Sequence, residues 1–189
     1  MSLEIDTPQS KDARLNRAVA MTVVALSVFL GLAHVKDDNL VQAMQQAKAD
    51  SVDRWGEYQA TKTKLHITEG QAADLGVLAS MAKDPAPALK LQAAAEAKIA
   101  KYKAEVPELM AKAKGLEAEY DRLNIHDDQF DAADALISIA ISAAAVAALA
   151  ESPWVLAVAW VFGGFGVVMG VAGFAGWGLH PDFLAKFLS

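Results

Sequence analysis

The span Trp154–Leu179 carries no charged side chain and holds seven of the chain's twelve glycines, all between Gly163 and Gly178. In water each interior glycine costs a helix roughly 1 kcal/mol relative to alanine, so a helix of this composition would not form. In lipid the balance reverses. An unpaired backbone group there costs more than the entropy that glycine loses, and the segment stays helical. Glycine also gives a flat face on which a second helix can pack closely. The span therefore commits the chain to a membrane and to close helix packing.

The remaining apolar residues are segregated in the same way. Hydrophobic residues make up 54% of the 189, and they gather toward the two ends, while the middle from Lys36 to Asp128 is polar, charged and rich in alanine. One run, Ala18–Val35, follows Lys11, Arg14 and Arg17, and its eighteen residues are near the lower limit for a spanning helix. Gly31-Leu32-Ala33 resembles a signal-peptide cleavage site, but the run is read here as a membrane helix. Another begins at Phe130 and reaches Ala150, with Asp131 and Asp134 in its first turns. Its uncharged part from Ala135 is alanine-rich and a weak insertion signal alone, so it is expected to insert with the glycine-rich span and to be shielded by protein. Glu151-Ser152-Pro153 forms the turn between them, and Trp154 and Trp177 sit where interfacial aromatics sit.

The polar middle reads as a helical hairpin. Leu40, Met44, Ala47, Ser51, Trp55, Tyr58, Lys62 and Leu65 recur at three- and four-residue steps, weaken around Gly70, and resume at Leu75, Leu78 and Met81. Pro85 and Pro87 then mark a turn. On the return arm Ala95, Ile99, Tyr102, Val106, Leu109, Ala113, Leu116, Tyr120 and Leu123 alternate four- and three-residue spacings, a heptad seam. Such an arm is marginal in water without a partner, and the outgoing arm is the natural one. Pro107 is expected to kink it or open a gap in its hydrogen bonding.

The expected protein is all-α, with three transmembrane helices and a long antiparallel coiled-coil hairpin between the first and second. Its divisions are a polar segment 1–17, membrane helices at 18–35, 130–150 and 154–179, a hairpin at 36–129 turning near 84–87, and an interfacial tail at 180–189. Basic residues before the first helix favour a cytoplasmic N-terminus and a hairpin on the opposite, periplasmic side. Lys36, Lys48, Lys112, Lys114, Arg122 and Lys186 pull the other way.

Several strings resemble the bacterial family called domain of unknown function 4337. They are Ala43-Met44, then Trp55-Gly56-Glu57-Tyr58-Gln59-Ala60, the run ending Glu117-Ala118-Glu119-Tyr120, and Phe130-Asp131 leading into Ile139-Ala140-Ile141. The resemblance implies this order of parts and a bacterial inner membrane, and it implies no activity.

The chemistry-bearing residues are few. Asp127, Asp128, Asp131 and Asp134 stand around the start of the second membrane run, beside His126, and Asp37 and Asp38 leave the first run at the same face. Repeated around a symmetry axis they would form a cation-attracting mouth. The plainer reading is that they complement a positive helix N-terminus at the water boundary, although Asp134 lies deeper than a cap requires. His126, Asp127 and Asp128 are adjacent on one helix and do not converge on a metal. Trp55 and Tyr58, one turn apart, are expected to pack against the region of Tyr102 or Leu109, or else to anchor a partner. Ala159, Gly163, Gly166, Gly170 and Gly173 step by four, three, four and three, a small-residue stripe for helix packing or oligomer contacts.

No phosphate-binding loop, nucleophile elbow or zinc-protease motif occurs, so no enzyme, cofactor or metal is expected. A net charge of −6 with dispersed basic residues argues against nucleic acid. The expected partners are the bilayer and further copies of the chain. A homo-oligomeric structural or scaffolding assembly is the leading function, with a cation-conducting or cation-sensing pore as the alternative.

Overall fold

In the computed structural model residues 13–179 are described, and they form three helices: α1 (Ala13–Met81), α2 (Ala86–Leu149) and α3 (Pro153–Ala175). There is no strand among the described residues. Each helix contains a stretch long and apolar enough to cross a membrane. The interfacial helix expected at 180–189 lies outside the described residues.

α1 joins the first apolar run to the outgoing arm without a break, because no proline falls between Ala13 and Met81. Asp84 Oδ1 accepts from the Ala86 N–H at 3.1 Å and starts α2 after the turn. α2 runs through Pro107, which has no N–H to offer the carbonyl one turn back. Between α2 and α3 the chain reverses through Glu151, at φ 47°, with Pro153 opening α3. α3 was expected to reach Leu179 but ends at Ala175. Gly176 takes the left-handed conformation at φ 68°, and the Trp177 N–H closes the end on Ala172 O at 3.0 Å.

The described chain divides into two compact units, one of residues up to Ala43 with those from Arg122, the other Met44–Asp121. In the second unit α1 and α2 pack antiparallel. Lys48 faces the Tyr120 ring at 5.4 Å, Trp55 Nε1 donates to Glu117 Oε1 at 2.8 Å, Lys103 Nζ pairs with Glu69 Oε1 at 3.0 Å, and Gly76 lies against Gln92. As the position on one arm rises, that of its partner falls in step, so one register holds along the unit. Lys103 beside it holds the Glu69 carboxyl below its ordinary range.

The outgoing seam differs from its sequence reading at three residues, Lys62, Leu78 and Met81, all of which are exposed; the last two lie beside the turn, where the seam ends. Thr61 is buried and Lys62 is exposed, because the heptad steps from Tyr58 to Thr61 to Leu65 and a lysine cannot be desolvated there. Nor does the seam fail at Gly70: Thr68 and Ala72 are buried on either side of it. Thr68 meets its hydrogen-bonding need locally, donating to Lys64 O at 2.7 Å.

In the first unit α2 and α3 are antiparallel, and α3 runs parallel to α1. The inner face of α2 is Phe130, Ala133, Ile137, Ala140, Ala144 and Ala147, none more than 3% exposed. The alanine-rich arm is thus shielded by its own chain. Against it lie Leu156, Ala159, Gly163, Gly166, Gly170 and Gly173 of α3, all buried. Both rows repeat at three and four residues, and small residues on both sides let the backbones approach. The large side chains Met21, Val24, Val28 and Leu32 of α1 and Val161, Phe165 and Val168 of α3 point outward.

Candidate functional site

The polar residues of the first unit gather where the apolar part of α1 ends. Asp37 is half-buried, and its Oδ1 is buried with no hydrogen-bond partner. Burial pushes its carboxyl from 3.8 up to about 6, with Asp127, Asp131 and Asp38 adding to the rise and His34 opposing it. Burial also raises the Asp127 carboxyl, followed by Asp131 and Asp128, while a hydrogen bond with Asp37 works against the rise. Asp38 and Asp131 are exposed, and Asp128 accepts from Asn124 Nδ2 at 3.4 Å.

Asp134 lies within electrostatic reach of Asp131 and also has a partner of its own. Its Oδ1 meets His34 Nε2 across the helices at 3.1 Å, with Ser138 Oγ 3.5 Å away. The structure accordingly links Asp37, Asp38, Asp127, Asp128, Asp131 and Asp134 electrostatically from neighbour to neighbour, with His34 paired to Asp134. The helix-terminus explanation of these acids is overturned. α2 begins at Ala86, some forty residues earlier, and runs unbroken through them, so no positive helix end is present for them to complement. Among the described residues no group of three or more His, Cys, Asp or Glu side chains could hold a metal ion.

Gln129, in the middle of the acidic string, is the residue that sequence reasoning passed over. It is fully buried. Its Nε2 donates to Trp177 O at 2.8 Å and to Leu179 O, and its Oε1 faces His126 Nδ1 at 3.1 Å. One amide thereby ties α2 to the chain leaving α3. The available signal was phase, since Gln129 adjoins Phe130 on the face that continues to Ala133 and Ile137.

The glycine stripe is filled from within the chain. A Cβ placed on Gly163 would meet Leu26 at 3.0 Å and Ala140 at 3.4 Å; on Gly166, Ile137 Cγ1 at 2.7 Å; on Gly170, Phe29 at 2.7 Å; on Gly173, Phe130 at 2.8 Å. Phe29, Phe130 and Phe174 close that end edge-to-face, at 6.3 and 5.3 Å from Phe174. Ala159 joins the cluster of Leu15, Val19, Ala144 and Ala147. Trp160 Nε1 donates to Thr22 Oγ1 at 2.9 Å, beside a shallow groove lined by Leu26, Gly163, Gly164 and Val167.

A family model described as Domain of unknown function (DUF4337) matches residues 15–176. The chain belongs to that family. No curated protein and no solved structure matches it. In this DUF4337 chain the register sets Trp55 level with Glu117, away from Tyr102. The two rings contact each other edge-on at 5.3 Å, and Lys62 Nζ lies 5.6 Å from the Tyr58 ring. Both side chains are half-buried along the seam.

Proposed function

We propose that this protein is a non-catalytic, homo-oligomeric scaffold of a bacterial inner membrane, its N-terminus cytoplasmic and its coiled-coil hairpin periplasmic. One observation carries the reading. The first unit is packed through its glycine stripe by Ile137, Phe29, Phe130 and Leu26, and it turns large apolar side chains outward on its helices. A subunit of this kind has a dry interior and a lipid- and protein-compatible exterior, as a structural membrane element requires. The stripe serves the subunit's own fold. Further copies therefore meet through the outer faces, where Gly164 has open space beside it next to the Trp160 groove.

The alternative, a cation-sensing or cation-conducting assembly, is favoured by the Asp37–Asp127 pair and its neighbours, which hold negative charge at one level of the helices. Reconstitution separates the two. A scaffold gives a detergent-stable complex heavier than one chain, no cation flux in vesicles, and the same behaviour in Asp131→Asn/Asp134→Asn. A monomeric mass overturns the oligomer, and a flux that this double variant alters overturns the scaffold in favour of the pore.

A further inference from the structure

The end of the hairpin unit is unusually apolar for a polar, lysine- and glutamate-rich pair of helices. Val77, Leu78, Met81, Leu89 and Leu91 are between 50% and 79% exposed, all within a stretch whose charged residues between Leu75 and Ala95 are Lys83, Asp84 and Lys90. They surround the turn and are not confined to one side of it. The register sets Leu78 level with Leu91, and helical phase puts Leu78, Met81 and Leu91 on one flank of the seam. Leu89 falls on the other flank and Val77 points away from the partner arm.

That distribution discriminates between occupants. A second protein surface covers one flank and leaves the other in water, whereas immersion in lipid covers both. Charge points the same way. Lys83 and Lys90 flank the apolar cluster and outnumber Asp84, which is turned to the Ala86 N–H, so the tip carries a net positive charge toward an anionic headgroup layer. A tight proline-containing turn between two helices keeps the wedge compact.

We infer that the hairpin tip, residues 77–91, is a docking element for an anionic lipid surface, with Leu78, Met81, Leu89 and Leu91 entering the headgroup–acyl boundary and Lys83 and Lys90 pairing with lipid phosphates. This goes beyond the scaffold reading and does not depend on subunit number. It gives such a scaffold a second hold on membrane.

The test uses the full chain in nanodiscs of neutral phosphatidylcholine, labelled with an environment-sensitive dye at Met81→Cys; the chain has no native cysteine to interfere. Vesicles containing 30% phosphatidylglycerol are added, and emission and co-flotation are recorded. Docking gives a blue shift and co-flotation that fall as salt rises. Lys83→Ala/Lys90→Ala weakens binding about 30-fold, near fivefold for each lysine. Leu78→Glu/Leu91→Glu, at exposed positions that leave helicity unchanged by circular dichroism, abolishes it. The inference is overturned if anionic vesicles give no shift and no co-flotation, or if the leucine variant binds as well as the parent. It is also overturned if the shift arises without vesicles as protein concentration is raised, which would mean that tips pair with tips. The mass of the nanodisc complex, read on the same samples, reports the scaffold reading separately.

Discussion

Placing one methyl group on Gly166 sets overpacking against helix propensity in a way that can be measured. An alanine Cβ at this position would sit 2.7 Å from Ile137 Cγ1 and 3.2 Å from both Ala133 O and Ile137 N. Carbon atoms prefer about 3.5–4.0 Å, so α2 and α3 must part by roughly 1 Å at this level. Ile137 is 0% exposed and has no free space to retreat into, and the other two contacts are backbone. Overpacking of this kind costs about 1–3 kcal/mol. Alanine also returns about 1 kcal/mol of helix propensity, which blurs the reading of one variant alone. Gly164 supplies the control. It lies on the same helix with nothing within 4 Å of a new Cβ, so Gly164→Ala gains propensity and meets no clash. The difference between Gly166→Ala and Gly164→Ala is then the packing cost, about 1–3 kcal/mol in favour of Gly164→Ala. Equilibrium unfolding in mixed dodecyl maltoside and dodecyl sulfate micelles, followed by the fluorescence of the four tryptophans, reads that difference. Equal stability of the two variants would refute the within-chain seam.

The other expectations concern the acidic junction, the buried amide and the hairpin. Asp37 binds its proton more tightly in the folded chain, so its own contribution to native stability is full below pH 3.8 and is lost as pH rises through about 6. Full conversion of the shift gives about 3 kcal/mol, which solvent screening at this half-exposed side chain reduces to roughly 1. Asp37→Asn flattens this part of the pH profile, and a profile unchanged by the substitution contradicts the assignment. Gln129→Leu removes the donor to Trp177 O and Leu179 O, costs about 1–3 kcal/mol, and speeds amide exchange around Trp177; unaltered exchange there removes the amide from its role. Trp55→Phe and Glu117→Gln, combined in a double-mutant cycle on the thermal melt, show a coupling of about 0.5–1.5 kcal/mol, and additive effects mean that the bond does not form in solution.

Much of this fold is written in spacing. The three- and four-residue steps from Ala95 to Leu123 mark the return arm, and those from Ala159 to Gly173 mark the packed face of α3. Burial depends on phase, and phase survives in sequence. Partnership does not. Gly166 needs a small residue whether its neighbour is another copy or Ile137 of the same chain, so the spacing alone left both open. Lys62 took a place in the outgoing stripe through its spacing, and only the competition with Thr61 for the seam removes it. The acidic string was conspicuous by charge, yet its contacts run across α1 and α2 over about a hundred residues, as His34–Asp134 does. Gln129 was invisible for the opposite reason: it carries no charge, and its partners are backbone carbonyls, which any sequence supplies.

The glycine stripe as a seam within one chain is tested most directly by cross-linking it there. A Cβ on Gly163 would lie 3.4 Å from the Cβ of Ala140, close to the separation that a disulfide spans, and the chain has no cysteine of its own. Ala140→Cys/Gly163→Cys, oxidised in native membranes, is expected to lose two thiols while the product keeps the mass of one chain. Covalent dimers in that sample, or thiols that stay free, would contradict the seam.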